Sequence, residues 1–319
     1  MQRVFVRLKS MNINKKYIIV GVLIVLVIFI LAFSLRGQKQ ISNQSGKLQV
    51  VTSFYPLYFF SSVIGGDKAD VKNITPSGTE PHDYEPTSGD IANIENSKLL
   101  ILQGTGLEAW GDNIKKNINP NHTTVVVAGQ EFMNLSILEN GVTITDPHVW
   151  LSPPLAEKMA DKILAGFIAV DPLNATYYTI NETKLKTDLS ALDSEYKQGL
   201  ATCASKDIIT SHAAFGYLAT TYGLNQVSIA GLSPDAEPSP KQLVDIVNFA
   251  KLNNVKYIFF ESLVSPKLSE TIANEIGAQT SVLNPIEGLT TNELAQGKDY
   301  FSEMENNLLN LETALQCKK

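Results

Sequence analysis

Four histidines occur in the chain, and three of them stand where a divalent metal could reach them. His82 lies in Pro81-His82-Asp83-Tyr84-Glu85-Pro86, soon after a β-branched run at Val71–Ile74. His148 lies in Asp146-Pro147-His148-Val149-Trp150-Leu151, just ahead of a helical segment. His212 lies in Ser211-His212-Ala213-Ala214-Phe215-Gly216, directly after a strand read at Asp207–Thr210. Neutral imidazole is a good zinc ligand when its second ring nitrogen is held by an outer partner. His212 also reads as a helix-start residue, where the positive dipole end would disfavour imidazolium and keep a lone pair free. One histidine alone is usually an ordinary surface or core residue. Three in similar strand-end settings, spread over both halves of the chain, argue for a shared role. His122, in the turn Asn119-Pro120-Asn121-His122, reads as an ordinary surface residue.

The elements that must carry these residues follow from the apolar patterning. Leu48–Ser53, Val71–Ile74, Leu99–Leu102 and Thr123–Ala128 read as strands, with helices from about Tyr55 and over Gly89–Ser97. A second set, Asp207–Thr210, Gln226–Ile229, Tyr257–Phe260 and Thr280–Leu283, alternates with helices starting near Ala213, Ser239 and Ser265. Such alternation predicts the α/β class, with parallel sheets flanked by helices and ligands bound beyond the carboxyl ends of the strands. Two lobes are expected, residues 48–172 and 203–319. Between them, Tyr177, Ile180, Leu185, Leu189, Leu192 and Tyr196 recur near helical spacing, after an Asp171-Pro172 helix-start signal. No glycine falls between Gly166 and Gly199, so residues 173–202 are expected to form one long rigid helix.

A length of 319 residues suits two domains, and 44% hydrophobic content excludes a disordered chain. With 26 basic against 32 acidic residues, the net charge of −6 argues against nucleic acid as a partner. The two cysteines, Cys203 and Cys317, are too few for a cysteine zinc site, but could form one bridge in an oxidising compartment. Residues 1–36 read as a membrane anchor or signal segment. Tyr17 to Leu35 is an uncharged apolar run preceded by Arg3, Arg7, Lys9, Lys15 and Lys16. As a helix it would span about 28 Å, enough to cross a bilayer core. The basic flank should stay inside, placing the body outside the cytoplasm whether the segment is retained or cleaved. No cysteine directly follows the run, which excludes lipid attachment there. Residues 37–47 read as a flexible tether.

Five motifs in order carry a family resemblance: Pro81-His82-Asp83-Tyr84-Glu85-Pro86-Thr87, Gly106-Leu107-Glu108-Ala109-Trp110, Asp146-Pro147-His148-Val149-Trp150-Leu151, Ser211-His212-Ala213-Ala214-Phe215-Gly216-Tyr217, and Gly231-Leu232-Ser233-Pro234-Asp235-Ala236-Glu237-Pro238-Ser239. Together they span nearly everything after residue 47. The sequence resembles the zinc- and manganese-binding solute-binding proteins of ABC importers, their zinc-binding branch in particular. The resemblance implies two lobes joined by one long helix, with the metal between them. It also implies that His82 and His148 are ligands from the first lobe and His212 one from the second. For the fourth position many relatives carry an aspartate; this chain has Asn284-Pro285-Ile286-Glu287-Gly288-Leu289. The similar text of the zinc-binding branch implies Glu287, with Glu261 in reserve.

Three imidazoles and a carboxylate suit Zn²⁺ better than Mn²⁺, which favours harder oxygen ligands. The expected function is capture of extracytoplasmic Zn²⁺ by a monomer that delivers it to an ABC-transporter permease; manganese binding is the alternative within the family. A zinc-dependent hydrolase is the alternative from another class. It would need an open fourth position, and the chain has neither an HExxH motif nor a Gly-x-Ser-x-Gly elbow, so no enzyme activity is expected.

Overall fold

The computed structural model describes residues 46–139 and 141–318. The apolar run at 17–35 and nearly all of the 37–47 segment lie outside the described residues. Among the described residues, no helix is long and apolar enough to cross a membrane. From Lys47 onward the chain forms one compact unit.

Two four-stranded parallel sheets organise it. The first contains β1 (Leu48–Thr52), β2 (Ala69–Asn73), β3 (Leu99–Leu102) and β4 (Thr124–Val127), in the order β2-β1-β3-β4. Two further strands, β5 (Ser136–Glu139) and β6 (Val142–Thr145), form a separate antiparallel hairpin. The second parallel sheet contains β7 (Asp207–Thr210), β8 (Asn225–Ser228), β9 (Tyr257–Phe260) and β10 (Gln279–Val282), in the order β10-β9-β7-β8. Counted within its own set, each sheet places its second strand beside the first, and its third on the first strand's other side. The eight parallel strands fall within two residues of their sequence-read positions. The hairpin was not anticipated.

Alternation along the strands explains how the layers stack, because successive side chains point to opposite faces. Val50, Leu99 and Ile101 of the first sheet, with Ile208 and Phe259 of the second, belong to one continuous buried cluster. Their neighbours face outward instead: Val51, Leu100 and Leu102 pack with Ile94 and Trp110, while Ile209 and Ile258 pack with Ile246 and Ile272. Each sheet thus has a helix-covered outer layer of its own and a share in a common inner core. Parallel strands buried on both faces read as near-unbroken apolar runs, as Leu99–Leu102 of β3 and Tyr257–Phe260 of β9 do, whereas the edge strands β2, β8 and β10 are more polar.

The helices are α1 (Tyr55–Gly65), α2 (Ser88–Asn96), α3 (Gly111–Asn117), α4 (Pro153–Val170), α5 (Ala175–Gly199), α6 (Gly216–Tyr222), α7 (Pro240–Leu252), α8 (Lys267–Ile276), α9 (Thr291–Ala295) and α10 (Tyr300–Ala314). The 25-residue α5 packs against α1, α4 and α10, burying Tyr178, Leu185, Leu189, Leu192 and Tyr196. A short 3-10 turn, Pro172–Asn174, leads into it. There the Asp171 carboxylate accepts hydrogen bonds from the Asn174 amide and the Tyr178 hydroxyl, each at 2.7 Å. At the far end of α5, Cys203 is disulfide-bonded to Cys317 just beyond α10, closing a loop with a sequence separation of 114.

Candidate metal centre

The second sheet delivers its site residues from strand ends. His212 follows β7 and Glu261 directly follows β9, and these strands are neighbours through Ile209 and Ile258. That adjacency is the topological switch point, where connections diverge and leave a crevice. Glu287 lies on the irregular segment after β10, where Leu283 to Leu289 are all buried. From the first half, His82 comes from the long loop between β2 and α2. His148 precedes the 3-10 turn Val149–Leu151, shortly after β6.

These loops bring one donor atom each from His82, His148, His212 and Glu287 to within 4.8 Å of one another. His82 Nε2 is 3.3 Å from His148 Nε2, and His212 Nε2 is 3.4 Å from His148 Nε2. Glu287 Oε1 lies 3.4 Å from His82 Nε2, 2.9 Å from His148 Nε2 and 3.4 Å from His212 Nε2. Four ligands at zinc's usual bond lengths stand about 3.3–3.4 Å apart around a tetrahedron. Four of these five distances match that edge, and the fifth is shorter. The side chains of His148, His212 and Glu287 are fully buried, and that of His82 is 6% exposed.

The outer partners fix which ring nitrogens face inward. His148 Nδ1 is 2.7 Å from Asp146 Oδ1, which also accepts from the His148 backbone N–H at 2.9 Å. His212 Nδ1 is 2.6 Å from Glu261 Oε1, an oxygen that also accepts from the Ser211 hydroxyl. With Nδ1 donating outward, the Nε2 lone pairs of both rings are aimed at the same point. Uncompensated, such lone pairs repel; a cation at their focus removes the conflict.

The electrostatics say the same. Burial disfavours a charged His212, but the Glu261 and Glu287 carboxylates outweigh it and hold the imidazole well above its usual pKa of 6.5. His148 is also raised: burial again opposes, and Asp146 and then Glu287 prevail. Burial pushes Glu287 upward, yet the His212 charge and hydrogen bonds from all three imidazoles hold it well below the usual carboxylate range. Glu80, whose Oε1 accepts from the His82 backbone N–H at 3.2 Å, is pushed up to about 9 by burial and then by Glu287. This donor set demands positive charge, which protons or a divalent cation can supply.

Two sequence expectations change. The helix after His212 begins only at Gly216, so the two carboxylates and not a helix dipole set its charge state, in the opposite sense to that expected. Glu261, the reserve fourth ligand, is instead the partner of His212 Nδ1. His122 stands apart on the surface, its Nδ1 3.4 Å from Lys98 Nζ. Asn284 is fully engaged in the structure: its side chain accepts from the Ile286 N–H at 2.8 Å and donates to Glu303 at 3.1 Å. Asp146 received no role from sequence, although its place two residues before His148 was the available signal.

Residues 50–314 match the model of the family described as zinc-uptake complex component A, periplasmic. The chain is 42% identical over 287 residues to the high-affinity zinc uptake system protein ZnuA of Bacillus subtilis, covering 86% of this chain and 90% of that one. It is 36% identical over 314 residues to the zinc-binding protein AdcA of Streptococcus pyogenes, covering 92% of this chain but only 60% of that relative's length. Among solved structures, the Zn(II)-bound ZnuA-like domain of Streptococcus pneumoniae AdcA matches with a TM-score of 0.74 and 37% identity, over 85% of this chain and 99% of that one. The laminin-binding protein of Streptococcus agalactiae, described as a bifunctional protein with adhesin and metal transporting activity, matches with a TM-score of 0.76 and 35% identity, over 84% of this chain and 99% of that one. By both the extent of the family match and the identity to its relatives, the chain belongs to the ZnuA family of zinc-uptake components.

Proposed function

We propose that this protein captures Zn²⁺ outside the cytoplasm and hands it to an ABC-type permease, with His82, His148, His212 and Glu287 as the four ligands. The convergence of three imidazole nitrogens and one carboxylate oxygen at near-tetrahedral spacing carries this reading. A nitrogen-rich set favours Zn²⁺ over Mn²⁺. With Glu287 in the fourth corner the sphere is closed, leaving no position for the activated water that a hydrolase needs. The ion is therefore cargo, and the protein is a binding component, not an enzyme.

Within this reading, residues 48–172 and 203–319 act as the two lobes and 173–202 as their link. Residues 1–36 serve as the export and anchoring segment, 37–47 as the tether, and a monomer suffices as the working unit. Release depends on small movements, because the lobes are bonded near the site independently of the ligands. Trp150 Nε1 donates to Pro285 O at 2.8 Å, Tyr300 donates to Trp150 O at 2.5 Å, and Tyr217 donates to Asp146 O at 3.1 Å.

Isothermal titration with Zn²⁺, followed by Mn²⁺ competition, tests the reading. The expected result is one Zn²⁺ per chain that Mn²⁺ displaces poorly, with tight binding lost in His212→Ala. Unchanged affinity and stoichiometry in that variant would refute the site.

A further inference from the structure

The segment that presents Glu287 has no regular secondary structure, yet Leu283 to Leu289 are all buried. A buried irregular segment must find partners for its backbone polar groups outside any sheet or helix ladder. Leu283 N–H donates to Phe260 O, Pro285 O accepts from Trp150 and Leu289 O accepts from Gly78 N–H, whereas both backbone groups of Asn284 are taken by one side chain of α10. Asn307 Oδ1 accepts from the Asn284 backbone N–H at 2.7 Å, and Asn307 Nδ2 donates to the Asn284 carbonyl at 2.6 Å. Within the same helix, Glu303 accepts from the Asn284 side chain at 3.1 Å, and Asn310 donates to Val282 O at 2.9 Å. Asn284 then passes the constraint on, since its own carboxamide oxygen accepts from the Ile286 N–H at 2.8 Å.

Ile286, directly before Glu287, sits at φ 57°. A β-branched residue in the left-handed region is strained and persists only where its surroundings over-determine it. The Asn307 pair is well suited to do so. Its amide orientation is fixed by the backbone, because an N–H can only donate and a carbonyl can only accept. Asn307 thus does for Asn284 what a neighbouring strand would do for a sheet residue. It is 1% exposed and touches none of the four donor atoms.

We infer that Asn307 is a positioning residue for the metal site: through its paired hydrogen bonds to Asn284 it holds the strained Ile286 turn that aims Glu287 at the three imidazoles. This rests on the reading of Glu287 as a ligand, and it extends the site to a helix that contributes no ligand. Outer partners of metal ligands typically change metal affinity by about 10–100-fold, and a residue acting through one carboxylate should fall in that range.

The test is a double-mutant cycle on the full chain, with Zn²⁺ affinity read by competition against a chromogenic chelator. Asn307→Leu, nearly the same size but unable to hydrogen-bond, is expected to weaken Zn²⁺ binding about 10–100-fold. It should also shift the visible absorption of the Co²⁺-loaded protein, a readout that lowered stability alone would leave unchanged. In a Glu287→Ala background the same substitution should have no further effect on affinity. Asn307→Asp retains the shape and the acceptor for Asn284 N–H but opposes the Asn284 carbonyl. It covers the case in which the leucine variant fails to fold, and a smaller loss in the same direction is expected. Wild-type affinity and Co²⁺ absorption in folded variants would overturn the proposal, as would an equal loss with and without Glu287. Should Glu287→Ala itself bind Zn²⁺ like the parent, the ligand assignment falls and this inference with it. Failure at Asn307 alone leaves that assignment standing.

Discussion

Where β1 and β3 lie side by side, Thr52-Ser53-Phe54 leaves the first sheet; where β7 and β9 lie side by side, Thr210-Ser211-His212 leaves the second. In both places the serine hydroxyl donates to a buried glutamate that follows the third strand, Glu108 in one and Glu261 in the other. From there the two diverge. Glu108 also accepts from the backbone N–H groups of Gln103 at 2.6 Å and Gly104 at 3.0 Å, and Phe54 packs edge-on against Trp150 with ring centroids 4.7 Å apart. Glu261 instead receives His212 Nδ1. The shared serine–glutamate pairing braces backbone in one sheet and the ring of a proposed ligand in the other, with Glu261 directly after its strand and Glu108 farther beyond its own. Besides the glutamates' other partners, the matched positions differ in one side chain, phenylalanine at 54 and histidine at 212. The first half brings its proposed ligands, His82 and His148, from longer excursions, the β2–α2 loop and the segment after the hairpin.

Truncating each of the two matched residues should give opposite phenotypes. His212→Ala should lower Zn²⁺ affinity by more than the ~100-fold upper end associated with outer partners. Phe54→Ala should instead cost about 3–5 kcal/mol of stability, read by denaturant unfolding of the metal-free protein. A large affinity loss in the second with stability intact would dissolve the distinction. The second half also carries the disulfide and the first has no counterpart. Cys203→Ser with Cys317→Ser should therefore destabilise the protein by about 2–5 kcal/mol, measured by its melting transition.

The two glutamates offer a finer comparison. Glu261→Gln should reduce Zn²⁺ affinity by about 10–100-fold, because it weakens the hold on His212 Nδ1. Glu108→Gln should leave affinity near that of the parent while costing about 1–3 kcal/mol, since its oxygens serve backbone donors. Similar zinc phenotypes in the two variants would show that the two sheets are not specialised in this way.

Proton linkage gives the smallest effect, and its sign is definite. His148 and His212 are raised above their ordinary value of 6.5 in the folded, metal-free protein. Their stabilising contribution is complete below that value and is lost as pH rises through the raised folded values. Zn²⁺ binding requires the deprotonated rings, so affinity should climb over the same interval. Glu287, held low, adds stability above its ordinary 4.5 that disappears only as pH falls through its depressed value. Melting curves of the metal-free protein and zinc titrations across pH 6–9 should therefore run in opposite directions; parallel trends would contradict the assignment.

Much of the scaffold was legible because parallel strands buried on both faces leave unbroken apolar runs. Leu99–Leu102 and Tyr257–Phe260 fall at their sequence-read positions for that reason. The hairpin β5–β6 escaped because its strands are short and none of their residues is fully buried. The Asn-Gly dipeptide at 140–141 was the signal that could have revealed it. Three histidines could be singled out by type and strand-end context. Glu287 followed only from a family resemblance, and nothing local separates it from Glu261. Asn307 was invisible because its partner, Asn284, is 23 residues away and the pairing depends on how α10 packs against the second sheet.

If both halves of the molecule hold a single zinc ion, X-ray absorption at the zinc edge of the protein loaded with one equivalent will report the ligand set. Four light-atom ligands at about 2.0–2.1 Å are expected, with outer-shell scattering that fits three imidazoles. A spectrum that fits a six-coordinate, oxygen-dominated sphere, or fewer than three imidazoles, would contradict it.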